Sequence, residues 1–167
     1  MLPSGRMSAS LPRKTLDKLD FVIASIHSQF KMDTEAMTER ILRALDDPHV
    51  TFIGHLTGRK LLSREGYTVN YDRIFEKAGE RGVMIEINGN PHRLDVDWRH
   101  IRRALDRGVV LSIHPDAHSV AEYNALISGT WVARKAGLTP KEIFNARPLE
   151  EVEEWLRARR AASGLRS

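Results

Sequence analysis

The sequence predicts an α/β protein built around a parallel sheet. From Leu19 onward, short apolar runs of β type alternate with longer segments of helical periodicity. Capping side chains precede the helical segments, and Gly or Pro stands at several changeovers. Four such units follow one another without a linker, low-complexity segment or repeat. That succession is how consecutive parallel strands joined by helices read.

The first strand is expected at 21–26, and a helix at 34–45 follows, capped by Asp33, with Met37, Ile41, Leu42 and Leu45 on one face. A second strand at 51–53 ends in Gly54-His55. Beyond a loop rich in Gly and Arg, Asn70 caps a helix at 71–80. Gly82 stops that helix and opens the third strand, 83–87, which runs into Asn88-Gly89-Asn90-Pro91. A helix at 96–106, with Asp95 as its expected cap, returns the chain to a fourth strand at 109–113. His114-Pro115-Asp116-Ala117-His118 and a helix at 120–136 come next. Two terminal helices, 140–145 and 148–160, each have Pro at the first helical position.

Composition narrows the function. With 167 residues, 41% of them hydrophobic, the chain has enough apolar mass for one globular core. The absence of Cys excludes a disulfide, a thiolate nucleophile and cysteine-ligated zinc or iron–sulfur clusters, so any metal must use His, Asp or Glu. Charged residues make up 29%, no apolar run approaches the roughly 20 residues of a membrane span, and residues 1–14 lack a signal peptide's apolar stretch. The expectation is a cytoplasmic protein with no membrane partner. A net charge of +4 favours a phosphate-bearing ligand, although Arg157, Arg159, Arg160 and Arg166 read more simply as a solvated helix end. Neither G-x-x-x-x-G-K-[ST] nor G-x-G-x-x-G occurs, which removes support for P-loop and Rossmann nucleotide sites.

In parallel α/β folds, residues just past the strand C-termini converge on one rim, where ligands and metals are held. His27, His55, Asn88, Asn90, Asp116 and His118 all fall there. A lone His at a strand end is usually a hydrogen-bonded loop residue, but four strands repeating the pattern point to a shared site. Asp116-x-His118 places a carboxylate and an imidazole where they could face one metal cluster. Arg59 either forks onto a phosphate oxygen or pairs with a carboxylate to hold its loop. Asn90, His92 and Arg93 are candidates for binding substrate. His49 and His100 read as surface or packing residues, and Trp98, Trp131 and Trp155 as core, not as base-stacking platforms.

Four stretches carry a family resemblance: Ala24-Ser25-Ile26-His27-Ser28; Pro48-His49-Val50 leading to Gly54-His55-Leu56-Thr57-Gly58-Arg59; residues 86–95; and Asp116-Ala117-His118-Ser119. Collinearly over about 11–156, the chain resembles the PHP (polymerase and histidinol phosphatase) domain, in the form found at the C-terminus of bacterial family X DNA polymerases. Residues 86–95 favour that branch over histidinol phosphatases. The resemblance implies the C-terminal part, about four β/α units, of a distorted seven-stranded TIM-like barrel, with residues 1–167 forming one partial domain. Residues 1–18 would be an extension and 161–167 a basic tail.

It also implies a trinuclear Mn2+ or Zn2+ site and 3'-5' exonuclease or other 3'-end processing of DNA. His27 and His55 would share one metal, Asp116 would hold a second and His118 a third, and metal-bound hydroxide would be the nucleophile. Arg59 or Arg93 would orient the phosphate. The family's earlier motifs, with five of its nine ligands, have no counterpart here, nor does a polymerase region, and His114-Pro115 stands where Asn-Thr is usual. The expectation is therefore a phosphoesterase completed by another chain, by homo-oligomerisation or by upstream sequence. Its alternatives are a non-catalytic remnant and a small-molecule phosphatase of the histidinol-phosphate type.

Overall fold

A parallel strand must satisfy its backbone through neighbours and bury both faces, and the connecting segments supply the cover. In the computed structural model, which describes residues 11–165, a helical turn α1 (Arg13–Leu16) precedes four parallel strands lying side by side in chain order. These are β1 (Ile23–Ala24), β2 (Phe52–Ile53), β3 (Met84–Asn88) and β4 (Leu111–His114). Residues 1–10 and 166–167, parts of the expected N-terminal extension and basic tail, lie outside the described residues.

The ladder is in step. Ile23, Phe52 and Met84 are level, as are Ala24, Ile53, Ile85 and Leu111, and further along Glu86 faces Ser112 and Asn88 faces His114. Because successive side chains alternate, Ala24, Ile53, Ile85, Ile87, Leu111 and Ile113 share one face. There they join the main core with the buried sides of α2 (Thr34–Leu45), α3 (Tyr71–Arg81), α4 (Trp98–Leu105) and α5 (Ala125–Lys135). The opposite face turns apolar to polar along the strands, from Phe52 and Met84 to Glu86, Asn88, Ser112 and His114.

Asp33 accepts from the Ala36 N–H at 2.8 Å and Asn70 from the Arg73 N–H at 3.2 Å, so α2 and α3 start at their capping side chains. Helix α3 stops at Gly82, whose φ of +59° suits glycine. The final helix, α6 (Leu149–Ala162), lies across the N-terminal ends of the strands, where Trp155 packs on Phe144 beside Phe52 and Met84. Arg159 donates to the Val50 and Gly82 carbonyls at 2.7 and 2.9 Å, tying α6 to the approaches of β2 and β3. Among the described residues, no helix is long and apolar enough to cross a membrane.

Several expectations are corrected. The helix at 140–145 is instead two 3-10 turns, Pro140–Glu142 and Phe144–Ala146, because Ile143 between them pairs in parallel with Leu111. Asn145 extends that contact: its Oδ1 accepts from the Ile113 N–H at 3.0 Å, and its Nδ2 donates to the Ile113 carbonyl at 2.7 Å. One amide side chain thus replaces a neighbouring strand. The helix at 120–136 divides into a 3-10 segment, Val120–Asn124, and α5. Asp97, not Asp95, caps α4. Trp98 and Trp131 are 39% and 63% exposed instead of belonging to the core, since each lies on the outward side of its helix.

Candidate functional site

Past the strand C-termini, along one rim, the structure pairs His27 with His55 and Arg93 with Asp116, while His92 and His118 are exposed. At its centre is Glu86, a buried residue on the face of β3 opposite the main core. Glu86 Oε2 accepts from the His55 backbone N–H at 2.6 Å and from Asn88 Nδ2 at 3.1 Å. Its other oxygen faces His114 Nδ1 at 3.4 Å, while His114 Nε2 shares a 2.9 Å hydrogen bond with Ser112 Oγ. The glycine at 54 makes room for the Ser25 hydroxyl beside this carboxylate. A Cβ at that position would stand 2.6 Å from Ser25 Oγ and 3.4 Å from Glu86 Oε2.

His55 is buried, with its ring centroid 5.1 Å from that of His27 in an edge-to-face arrangement. Its Nδ1 is buried without a hydrogen-bond partner among the described residues. Burial foremost, and then the Arg93 guanidinium, lower its affinity for a proton, which the Glu86 and Asp116 carboxylates partly oppose. Such an imidazole is biased toward the neutral form that binds metals.

Asp116 adopts a left-handed backbone (φ +55°), and its Oδ2 is 2.9 Å from Arg93 Nε. Arg93 Nη1 is buried without an acceptor among the described residues. His118 is 80% exposed at its side chain; its Nδ1 donates to the Asp116 carbonyl at 2.9 Å, and its N–H to Glu122 at 2.7 Å. Asn90 is spent on its own loop, where its Oδ1 accepts from the His92 N–H at 3.0 Å, and the His92 side chain is exposed.

Arg59 is committed to the loop. Its guanidinium donates to the carbonyls of Arg93 (2.7 Å) and Leu94, and to Asp97 at 2.7 Å. Thr57, two residues earlier, donates its N–H and hydroxyl to Asp95 at 2.9 and 3.0 Å. The loops after β2 and β3 are thereby locked together, and Arg93 is held from behind.

The donors fit a divalent ion in part. His27 and the orphaned His55 nitrogen supply imidazoles of the kind zinc and manganese accept, and Asp116 supplies a carboxylate that a cation already neutralises. Among the described residues, no group of three or more His, Asp or Glu converges tightly enough to hold a metal. Glu86 is a site residue that the reading from sequence did not single out. Its signal was present, as one carboxylate in an otherwise apolar strand.

The chain's relatives in sequence carry names of phosphoesterase type. The chain is homologous to the DNA polymerase/3'-5' exonuclease PolX of Bacillus subtilis (strain 168), with 38% identity over 154 residues, 88% of this chain and 27% of that protein. It is also 27% identical over 163 residues to a probable phosphatase of Thermoanaerobacter sp. (strain X514), covering 92% of this chain and 64% of the relative. A probable phosphatase of Clostridium novyi (strain NT) is 34% identical over 82 residues, 48% of this chain and 31% of its own. The chain therefore spans about a quarter of the Bacillus protein and just under two thirds of the Thermoanaerobacter one. No protein-family model matches it.

Proposed function

We propose that this chain is the C-terminal part of a PHP-type phosphoesterase barrel, acting on DNA 3' ends with Mn2+ or Zn2+. The observation that supports the reading is the His27–His55 ring pair and the Arg93–Asp116 ion pair past the strand ends, in a chain 38% identical to a named 3'-5' exonuclease. His27 and His55 would hold one ion and Asp116 another, with His118 turning inward from its exposed position. The remaining donors would come from outside the described residues, in the same protein or in a second chain. Bound there, such ions supply Lewis-acid polarisation of a phosphoryl oxygen and lower the pKa of water.

The chain's own residues do the positioning. Arg93 holds Asp116 through Nε and keeps Nη1 free for a phosphate oxygen, the fork geometry that suits this side chain. Arg59 acts behind it by fixing the Arg93 and Leu94 carbonyls. Glu86 sets the His55 backbone, and through it the ring.

The test is 3'-end hydrolysis of a single-stranded oligonucleotide with Mn2+ or Zn2+, alongside metal content by elemental analysis. His27→Ala and Asp116→Ala are expected to lower both, the rate by on the order of 100-fold. Hydrolysis unchanged in both variants would refute the assignment. Turnover of a small phosphate monoester without cleavage of DNA would move the reading to a small-molecule phosphatase, which the probable phosphatases favour.

A further inference from the structure

Trp98 and Trp131, outward on α4 and α5, flank a cleft of about 360 Å³ floored by Val132, with Pro91 and Leu94 along its upper wall. Lys135 Nζ sits 4.8 Å from the centre of the Trp98 ring. Pro91 and Leu94 belong to the loop that delivers Arg93 to Asp116, so the cleft opens beside the rim. Its position is fixed by a glycine contact, since a Cβ on Gly89 would stand 2.3 Å from the Ala125 carbonyl oxygen and one on Gly129 would stand 3.2 Å from Gly89 Cα.

The two helices that border the cleft carry Arg99, Arg102, Arg103, Arg134 and Lys135 and not one carboxylate. Arg99 pairs with Asp97, the cap of its own helix, and Arg102 and Arg103 with Glu142 and Asp72 of neighbouring segments. Lys135, which lines the cleft, has no ion-pair partner among the described residues and leaves an unbalanced positive charge at its border. Exposed indole faces interleaved with cations match the two halves of a nucleotide, a flat base and a phosphate. An apolar protein segment would use the aromatic faces but not the charge.

We propose that the cleft between α4 and α5 is a base-stacking subsite for single-stranded DNA, taking a nucleotide upstream of the 3' end placed at the rim. This rests on the DNA 3'-end reading above and names how the strand is held. Trp131 stacks on a base, Trp98 closes the opposite wall, and Lys135 meets a flanking phosphate. The consequence is a preference for oligonucleotides over small phosphodiesters that share the same scissile group.

Fluorescence anisotropy with a labelled oligothymidylate at fixed ionic strength tests this, with hydrolysis of its 3' end followed in parallel. Trp131→Ala is expected to raise Kd about fivefold or more and Trp131→Phe to restore most of the affinity, the range for one base–aromatic stack. Lys135→Gln should weaken binding and flatten its salt dependence. Turnover of bis(4-nitrophenyl) phosphate should be unchanged in Trp131→Ala. A Kd unaffected by Trp131→Ala and Lys135→Gln, or no oligonucleotide binding by the parent chain, would overturn the proposal. So would self-association abolished by Trp131→Ala with oligonucleotide affinity intact, which would assign the surface to a protein contact. Trp131-dependent binding without hydrolysis would leave the subsite standing and remove the phosphoesterase reading; hydrolysis with Trp131-independent Kd and KM would do the reverse.

Discussion

Asp95 has no exposed surface, and burial raises its pKa to about 6 even though Thr57 donates two hydrogen bonds to it. Its other oxygen, Oδ1, is buried without a partner among the described residues. A carboxyl that holds its proton more tightly when folded than at the ordinary value of 3.8 contributes stability that is fully present in acid and is lost as pH rises through about 6. At about 1.4 kcal/mol per pH unit, the change across that window is on the order of 3 kcal/mol. Asp95→Asn keeps an acceptor for Thr57 and removes the charge. The stability difference between variant and parent should therefore move by about that amount in favour of Asn between pH 4 and pH 7.5, as read by urea unfolding. A difference that stays constant with pH would refute the burial effect. Asp95 and Asp97 also show where local reading runs out. Either could cap a helix starting near Val96 or Trp98, and only the long-range bond to Thr57 assigns Asp95 to the interior and leaves the cap to Asp97.

At the scale of elements, local signals suffice where a helix end is satisfied by its own chain. Asp33, Asn70 and Gly82 were legible for that reason, and so were four parallel strands in chain order. The segment at 140–146 was not, because its conformation is set by the edge of β4, about 30 residues away in sequence. Likewise, apolar periodicity identifies a tryptophan as helical without telling which side of the helix it occupies, and Trp131 lies outward. The site was legible as residue types at strand ends; the Arg93–Asp116 pair and the role of Glu86 were not, since both depend on loop geometry. Asn145 gives the element scale its own test. Asn145→Ala leaves the Ile113 N–H and carbonyl without partners, at a cost of about 1–3 kcal/mol for each unsatisfied buried group. Thermal unfolding should show a clear drop in Tm. Asn145→Asp should be at least as destabilising, because a carboxylate oxygen would then face the Ile113 carbonyl. A Tm unchanged in Asn145→Ala would mean that Ile143 alone closes this edge.

Over the whole molecule, the two borders of the sheet are treated differently. Beyond β4, Ile143 and Asn145 occupy the edge, and α6 closes the ends of the strands opposite the rim. Beyond β1, no strand is present among the described residues, and Phe21 and Ile23 remain 50% and 45% exposed on the face that α2 to α5 leave uncovered. An apolar edge of this kind pairs readily with another strand, because it offers unpaired backbone groups and a hydrophobic surface together. In the barrel proposed above, that border is where further strands would join, and the remaining metal donors would arrive with them. Taken by itself, the chain should satisfy the edge with a second copy. We expect it to sediment above monomer mass at tens of micromolar, with Ile23→Lys shifting it toward monomer while the far-ultraviolet circular dichroism stays the same. The lysine sits at the exposed strand, where charge opposes pairing without disturbing the main core on the other face. A parent chain that stays monomeric across that range would show that Phe21 and Ile23 tolerate solvent, and would remove the physical reason for a second chain at β1.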